Sequence, residues 1–196
     1  MQSEQGCGTD RDSGLTGQLL VAMPGMTDPR FTHAVICLCA HNRDGAMGLA
    51  VNRPLEDPSL DSLLEQHGIA GEGQRAARGR VYAGGPVEPE RGFVLHSPDY
   101  TSGDTLVIGG KIGLTASLQI LRDIAAGRGP RHSLVALGYA GWGPGQLEAE
   151  LRRNVWLTCA ATPELLLTGD ARSKWGQALA SLGTAAAFLS VRGGNA

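Results

Sequence analysis

The stretch His33-Ala34-Val35-Ile36-Cys37-Leu38-Cys39-Ala40-His41-Asn42-Arg43-Asp44-Gly45-Ala46-Met47-Gly48-Leu49-Ala50-Val51 reads as two apolar runs joined by a polar connection that ends in Asp44-Gly45. Asp-Gly between apolar runs is a hairpin signal, because both residues tolerate the positive φ that a tight turn between twisted strands needs. Residues 33–40 and 46–51 are therefore predicted to be paired antiparallel strands. In the first of them Val35, Cys37 and Cys39 share one face, and Ala34, Ile36, Leu38 and Ala40 share the other. A strand apolar on both faces is covered on both, so this hairpin belongs in the middle of a sheet with layers on either side.

Working outward, residues 17–22 form a third apolar run, closed by the turn residues Met23-Pro24-Gly25. Residues 1–13 are polar and lack the basic-then-apolar order of a signal peptide, so they read as a loose tail ahead of one domain over 14–190. Downstream, Asp57-Pro58 followed by Leu60, Leu63 and Leu64 predicts a helix ending at Gly68. Residues 71–80, rich in glycine and carrying Arg75, Arg78 and Arg80, read as a solvated loop. Strands follow over 80–83, 92–96 and 105–108. Leu114, Leu118, Leu121 and Ile124 recur at helical spacing, with Thr115 as the N-cap and Gly127 as the stop. A strand over 133–137, a helix over 145–153, a strand over 155–159 and a helix through Trp175, Leu179 and Leu182 to Gly183 complete the chain. Hairpins at the front with strand and helix alternating behind them predict an α/β (α+β) fold, a compact single domain with a mixed sheet flanked by helices.

Bulk composition narrows the function classes. The chain is 42% hydrophobic and 18% charged, which suits a packed globule. A formal net charge of -2 and a pI near 6.2 provide no global positive field, which argues against direct nucleic-acid binding. No apolar run approaches the roughly 20 residues of a membrane span. Four cysteines, Cys7, Cys37, Cys39 and Cys159, in a chain long enough to stand without crosslinks are expected as free thiols in a reducing, cytoplasmic compartment.

Most catalytic motifs fail on inspection. Gly109-Gly110-Lys111-Ile112 has isoleucine where a phosphate loop needs a magnesium-binding hydroxyl. Gly138-Tyr139-Ala140-Gly141-Trp142-Gly143-Pro144-Gly145 stands between a strand and a helix, as a dinucleotide fingerprint does, but Gln146 occupies the third glycine position. What survives is a glycine-rich turn before a helix, whose free N–H groups suit a small anion, against the alternative that the glycines only permit close packing around Trp142. Cys37, Cys39 and His41 alternate along one strand at about 6.6 Å, too far apart for a shared zinc unless the strand bends, so no metal and no cofactor is expected. The two thiols read as core, with a redox-active cysteine beside His41 as the alternative. No G-x-S-x-G elbow occurs, and histidines 33, 41, 67, 96 and 132 are scattered.

Four blocks together carry more information than any motif. They are Met23-Pro24 with Asp28-Pro29 and Phe31; Cys39-x-His41-Asn42 through Gly45-Ala46-Met47-Gly48 to Asn52-Arg53-Pro54; Gly84-Gly85-Pro86-Val87 with Arg91-Gly92-Phe93-Val94-Leu95-His96; and Ala136-Leu137-Gly138-Tyr139-Ala140-Gly141-Trp142 with Gly145-Gln146-Leu147, Glu148, Glu150, Asn154 and Trp156-Leu157. In this order and spacing they closely resemble the bacterial AlgH/YqgE family. The resemblance implies a mixed, partly barrel-like sheet, no agreed enzymatic activity, and a transcription-related role suggested for one branch. Ala40 stands where the family often has an acid, Arg53 where it often has lysine, and the tail before Leu15 is extra.

Carried onto this sequence, the family's polar positions are His41, Asn52, Arg53, Arg91, His96, Gln146, Glu148 and Asn154. Neutral polar and cationic residues beside glycine turns suit an anionic ligand better than bond cleavage. The expected anion site therefore comprises His41, Asn52, Arg53, Gly84, Gly85, Arg91, His96, Gly143, Gly145 and Gln146, in a regulatory protein that works through a protein partner where DNA is concerned. No catalytic residue is assigned; the alternative is a hydrolase or transferase with His41 or His96 as general base.

Overall fold

The computed structural model describes residues 14–69 and 79–183. Cys7, Arg75 and Arg78 lie outside the described residues. The elements run β1 (Gln18–Ala22), β2 (Val35–Asn42), β3 (Gly45–Ala50), α1 (Leu60–Gln66), β4 (Val81–Ala83), β5 (Val87–His96), β6 (Leu106–Ile108), β7 (Ile112–Thr115), α2 (Leu118–Ala125), β8 (Ser133–Trp142), α3 (Gln146–Arg152), β9 (Trp156–Ala160), α4 (Pro163–Leu167) and α5 (Lys174–Ser181). The described strands form one sheet in the order β6-β7-β5-β8-β3-β2-β1-β9, with β4 pairing in parallel against β8.

The β2–β3 hairpin is central, as its sequence requires. Cys37 pairs with Leu49 and Ile36 with Ala50, and Val35 through Cys39 are buried. A bulge falls between Leu38 and Ala40, so the strand does bend at Cys39; both thiols nonetheless stay inside the core. Strand β8 joins the two halves of the sheet. One of its edges carries β4 through residues 135–137 and then β3 through residues 140–142, while the other carries β5. Gly138, at φ 70°, turns the strand between the two partners, a conformation that costs a side-chain-bearing residue far more.

The sheet curls into a half-barrel. A Cβ at Gly17, just before β1, would lie 3.0 Å from the Cα of Gly109 in the β6–β7 turn, so strands far apart in sheet order meet in space. Inside the curl lies the main core, including Leu19, Val35, Cys37, Leu49, Leu95, Ile108 and Leu134, closed by Leu166 of α4 and Leu179 of α5. Outside it, Leu147 of α3 covers Leu20, Ile36 and Leu38, and α1 with α2 covers Val81, Val94 and Val135.

Three local readings of the sequence are corrected. Residues 138–142 continue β8 instead of forming a turn, because Gly138 carries no side chain where the backbone carbonyls of Gly85 and Val87 approach closely. Leu114 and Thr115 end strand β7, and α2 begins only after Ser117, because Leu114 pairs with Leu95 and Leu106. Helix α1 is capped by the Ser59 hydroxyl, which accepts from Ser62 N–H, and not by Asp57. Helix α4 was not anticipated.

Candidate functional site

The polar residues singled out in the sequence fall into separate neighbourhoods. Gly84 and Gly85 lie against the backbone of β8: a Cβ on Gly85 would stand 2.1 Å from the Tyr139 carbonyl carbon. Gly84 N–H donates to Leu137 O, and its own carbonyl accepts from Ala50 N–H. Both backbone groups of Gly84 are thus used in joining β8 to β3, which is a packing role.

His96 is fully buried. One ring nitrogen, Nδ1, is 2.9 Å from Ser97 O, which can only accept, so Nδ1 donates there, and Nε2 is hydrogen-bonded to Thr115 Oγ1 at 3.0 Å. Tyr100 stands edge-on to the ring, and Gly113 leaves the space that the ring fills. An imidazole closed off in this way has no path to a substrate proton. Arg91 is exposed, bonded at 3.1 Å to Glu88, which also accepts from Tyr139 OH.

The glycine turn before α3 has a surprising occupant. Gln146 Oε1 accepts from Gly143 N–H at 3.1 Å, filling the position an anion would take. Gln146 Nε2 then donates to Glu150 Oε1, while Glu150 Oε2 accepts from the indole N–H groups of Trp142 and Trp156 at 2.9 and 2.8 Å. These two tryptophans and Phe31 stack edge to face, so three of the chain's nine aromatic side chains meet at one corner. They form the floor of a cleft of about 490 Å³ whose rim carries Asp28 and Arg30, paired with each other, and Arg153. Glu150 and Gln146 thus supply acceptors for both indole N–H groups and for Gly143 N–H.

His41 closes the same side of the molecule. Its Nε2 is 2.9 Å from Glu148 Oε1, and its Nδ1 is buried with no partner among the described residues. Glu148's own backbone N–H first, and His41 second, hold the Glu148 carboxyl below its usual range. Asn154 takes the left-handed conformation, φ 54°, that ends α3.

Asn52 and Arg53 share a different groove, of about 380 Å³, with Thr32, His33, Arg172 and Trp175. Asn52 Oδ1 accepts from Val35 N–H and its Nδ2 donates to His33 O, holding His33 at φ 55°. A side-chain-bearing residue at positive φ is strained, and such strain concentrates at functional sites. Arg53 Nη2 donates to Thr32 O at 2.8 Å and Pro29 O at 3.3 Å, while its Nε is buried without a partner. Burial lowers the Arg53 pKa, opposed by the charge of Asp28, which Arg30 already engages. Among the described residues neither Arg53 nor Arg172 has a carboxylate within ion-pair distance. Trp175, its indole donating to Ala22 O, stands edge-on to His33 as one wall. Arg172 is not singled out by the sequence and Trp175 only as a marker of the last helix; a lone arginine and a helical tryptophan give no site signal until α5 is docked.

Cys37, Cys39 and Cys159 are unpaired and buried. The contact with Cys37, followed by burial, pushes the Cys39 thiol well up, away from thiolate chemistry. Among the described residues no three His, Cys, Asp or Glu side chains converge as a metal site, and no helix is long and apolar enough to cross a membrane.

Comparison with known proteins bears on this geometry. A family model described as AlgH-like matches residues 19–187. A UPF0301 protein of Cereibacter sphaeroides is 52% identical over 186 residues, covering 93% of this chain and 99% of its own. A UPF0301 protein of Caulobacter vibrioides is 53% identical over 191 residues, covering 95% and 97%. The solution structure of the AlgH protein from Pseudomonas aeruginosa superposes with a TM-score of 0.74 at 39% identity, over 98% of this chain and all of that one. A crystal structure from Corynebacterium diphtheriae, at 17% identity and a TM-score of 0.72 over 93% of this chain, shares the fold. The mixed, partly barrel-like sheet that the resemblance implied is therefore present both in this chain and in its structural neighbours.

Proposed function

The chain belongs to the AlgH-like family, and from that premise we propose that it is a non-catalytic, cytoplasmic ligand-binding protein that holds a small anion in the groove between Arg53 and Arg172. The observation that carries this reading is the half-buried Arg53 guanidinium, fixed by two carbonyls, with a buried Nε and no carboxylate partner among the described residues. A cation removed from water without a counter-ion is costly, and an oxyanion bridging Arg53 and Arg172 offsets that cost. His33 and Trp175 add a polar edge and a flat wall against which the organic part of a carboxylate or phosphate ester could rest. Any transcriptional effect passes in this reading through a protein partner that senses the occupied groove, since the chain's net charge of -2 does not favour DNA.

The test is a thermal-shift titration with inorganic phosphate, sulfate and short carboxylates at fixed ionic strength, on the native chain, Arg53→Ala and Arg172→Ala. Saturable stabilisation reduced about tenfold in affinity by each substitution supports the groove. Equal responses in all three proteins remove it.

The His41–Glu148 pair favours a second reading, a hydrolase or transferase with His41 as base, since a carboxylate that orients an imidazole is the usual arrangement for proton abstraction. The nitrogen left free by Glu148 is, however, the buried Nδ1. Turnover of any ester or phosphoester substrate that His41→Gln abolishes without loss of folding would move the reading to catalysis.

A further inference from the structure

Lys174 is the largest fully buried side chain among the described residues, 2% exposed, and it opens α5. Neither circumstance favours it. The first turn of a helix repels a cation, and an ammonium taken from water needs a counter-ion or a full set of acceptors. Its Nζ donates to Leu166 O near the end of α4, which uses one of three N–H groups. Among the described residues no carboxylate pairs with it.

The same lysine lines a partly open cavity of about 130 Å³, together with Leu60, Arg80, Tyr82, Ser133 and Gly169. At roughly 30 Å³ for each water, that is room for about four waters or one compact oxyanion. Arg80 and Lys174 are cations, and the hydroxyls of Tyr82 and Ser133 have no hydrogen-bond partner among the described residues. The acid within electrostatic reach of Tyr82 is Asp170, whose carboxylate accepts from Arg172 N–H.

We infer that the Lys174 cavity is a second, separate oxyanion site, in which the ammonium of Lys174 and the hydroxyls of Tyr82 and Ser133 donate to a tetrahedral anion of phosphate or sulfate size while Arg80 stands at its mouth. Nothing in the Arg53 groove is needed for it. Desolvation already lowers the Lys174 pKa to about 8, and an anion beside it reverses that direction by favouring the charged form.

The experiment is carbon-13 NMR of the lysine Cε signals of the intact chain, titrated with inorganic phosphate at constant ionic strength, in the native protein, Arg53→Ala and Ser133→Ala with Tyr82→Phe. The expected result is a saturable phosphate-dependent shift of the Lys174 signal, kept in Arg53→Ala and weakened about tenfold in the double variant. Its titration midpoint should rise when phosphate is bound. A Lys174 signal that phosphate leaves unmoved overturns the inference and leaves the lysine as a cap on α4. So does a shift lost in Arg53→Ala, which assigns the binding to the other groove. The signal belongs to the native protein, so the result does not depend on whether Lys174→Met folds.

Discussion

Two tryptophan-bearing corners of this molecule answer the same polar problem in opposite ways. At the Trp142–Trp156 corner, Glu150 and Gln146 take up the indole and Gly143 N–H groups completely. At the Trp175 side, the half-buried Arg53 and the buried Lys174 have carbonyl acceptors but no carboxylate partner among the described residues. A saturated network specifies structure, and an unsaturated one leaves donors to offer a ligand. The glycine-rich block that looks most like a binding motif thus builds the fold, and the plainer Asn52-Arg53 pair faces the open groove.

Deletion of the saturated network should have the largest effect. Glu150→Ala leaves two buried indole N–H groups without an acceptor and is expected to destabilise by about 4 kcal/mol, since bonds to a carboxylate are worth ~1.5–3 kcal/mol each and are not additive. Urea unfolding followed by tryptophan fluorescence measures it. A loss under ~1 kcal/mol would mean the corner is not the rigid half of the comparison.

Lys174→Met tests the other side with the opposite sign. A lysine with its folded pKa depressed to about 8 is less protonated in the folded than in the unfolded chain between about pH 8 and the unfolded value near 10.4. The native protein therefore gains stability from Lys174 as pH rises through that window, on the order of 3 kcal/mol for a shift of this size. Below pH 8 the methionine variant escapes the cost of the buried charge, although it leaves Leu166 O without its donor. The difference between the two stability curves isolates Lys174 from the tyrosines and cysteines that titrate nearby. A difference that does not change with pH would show that the ammonium is not buried as described. Arg53→Ala should cost less, about 2 kcal/mol, because two carbonyls lose a charged donor; equilibrium unfolding without anion checks this separately from binding.

How much of this was legible depends on what kind of residue carried the signal. The β2–β3 hairpin could be read because alternation and Asp44-Gly45 are local properties. Strand β8 was cut short because Gly138 looks like a turn when its partner strands are not yet known; Gly84 and Gly85 supply the reason for the glycine only once the backbones cross. Leu114 satisfied a helical spacing with Leu118 and Leu121, but cross-strand pairing with Leu95 won. Helix α4 did have a signal, Thr162 before Pro163, with the Thr162 hydroxyl capping Leu165 N–H. Lys174 was missed because a lysine near a helix start reads as solvated. Its spacing from Ala171 and Ala178, three residues before it and four after it and both buried, was the clue that it faces inward.

The smallest effect expected lies at the edge of the saturated corner, where it sharpens the boundary between structure and chemistry. Glu148 is partly exposed and its carboxyl is held below the usual range by its own backbone N–H and then by His41. A carboxylate with a depressed folded pKa binds its proton less readily when folded, so its contribution is fully present above the unfolded value near 4.3 and is lost as pH falls through the folded one. Glu148→Gln should flatten that part of the acid limb, with a loss at neutral pH of only about 0.5 kcal/mol because water screens the pair. Stability measured by urea unfolding at pH 7 and again near pH 3 should show the variant and native proteins converging at the lower value. If instead they diverge on acidification, the His41–Glu148 hydrogen bond is not what holds α3 to the end of β2, and the Nδ1 of His41, without a partner among the described residues, would become the better place to look for a proton-transfer role.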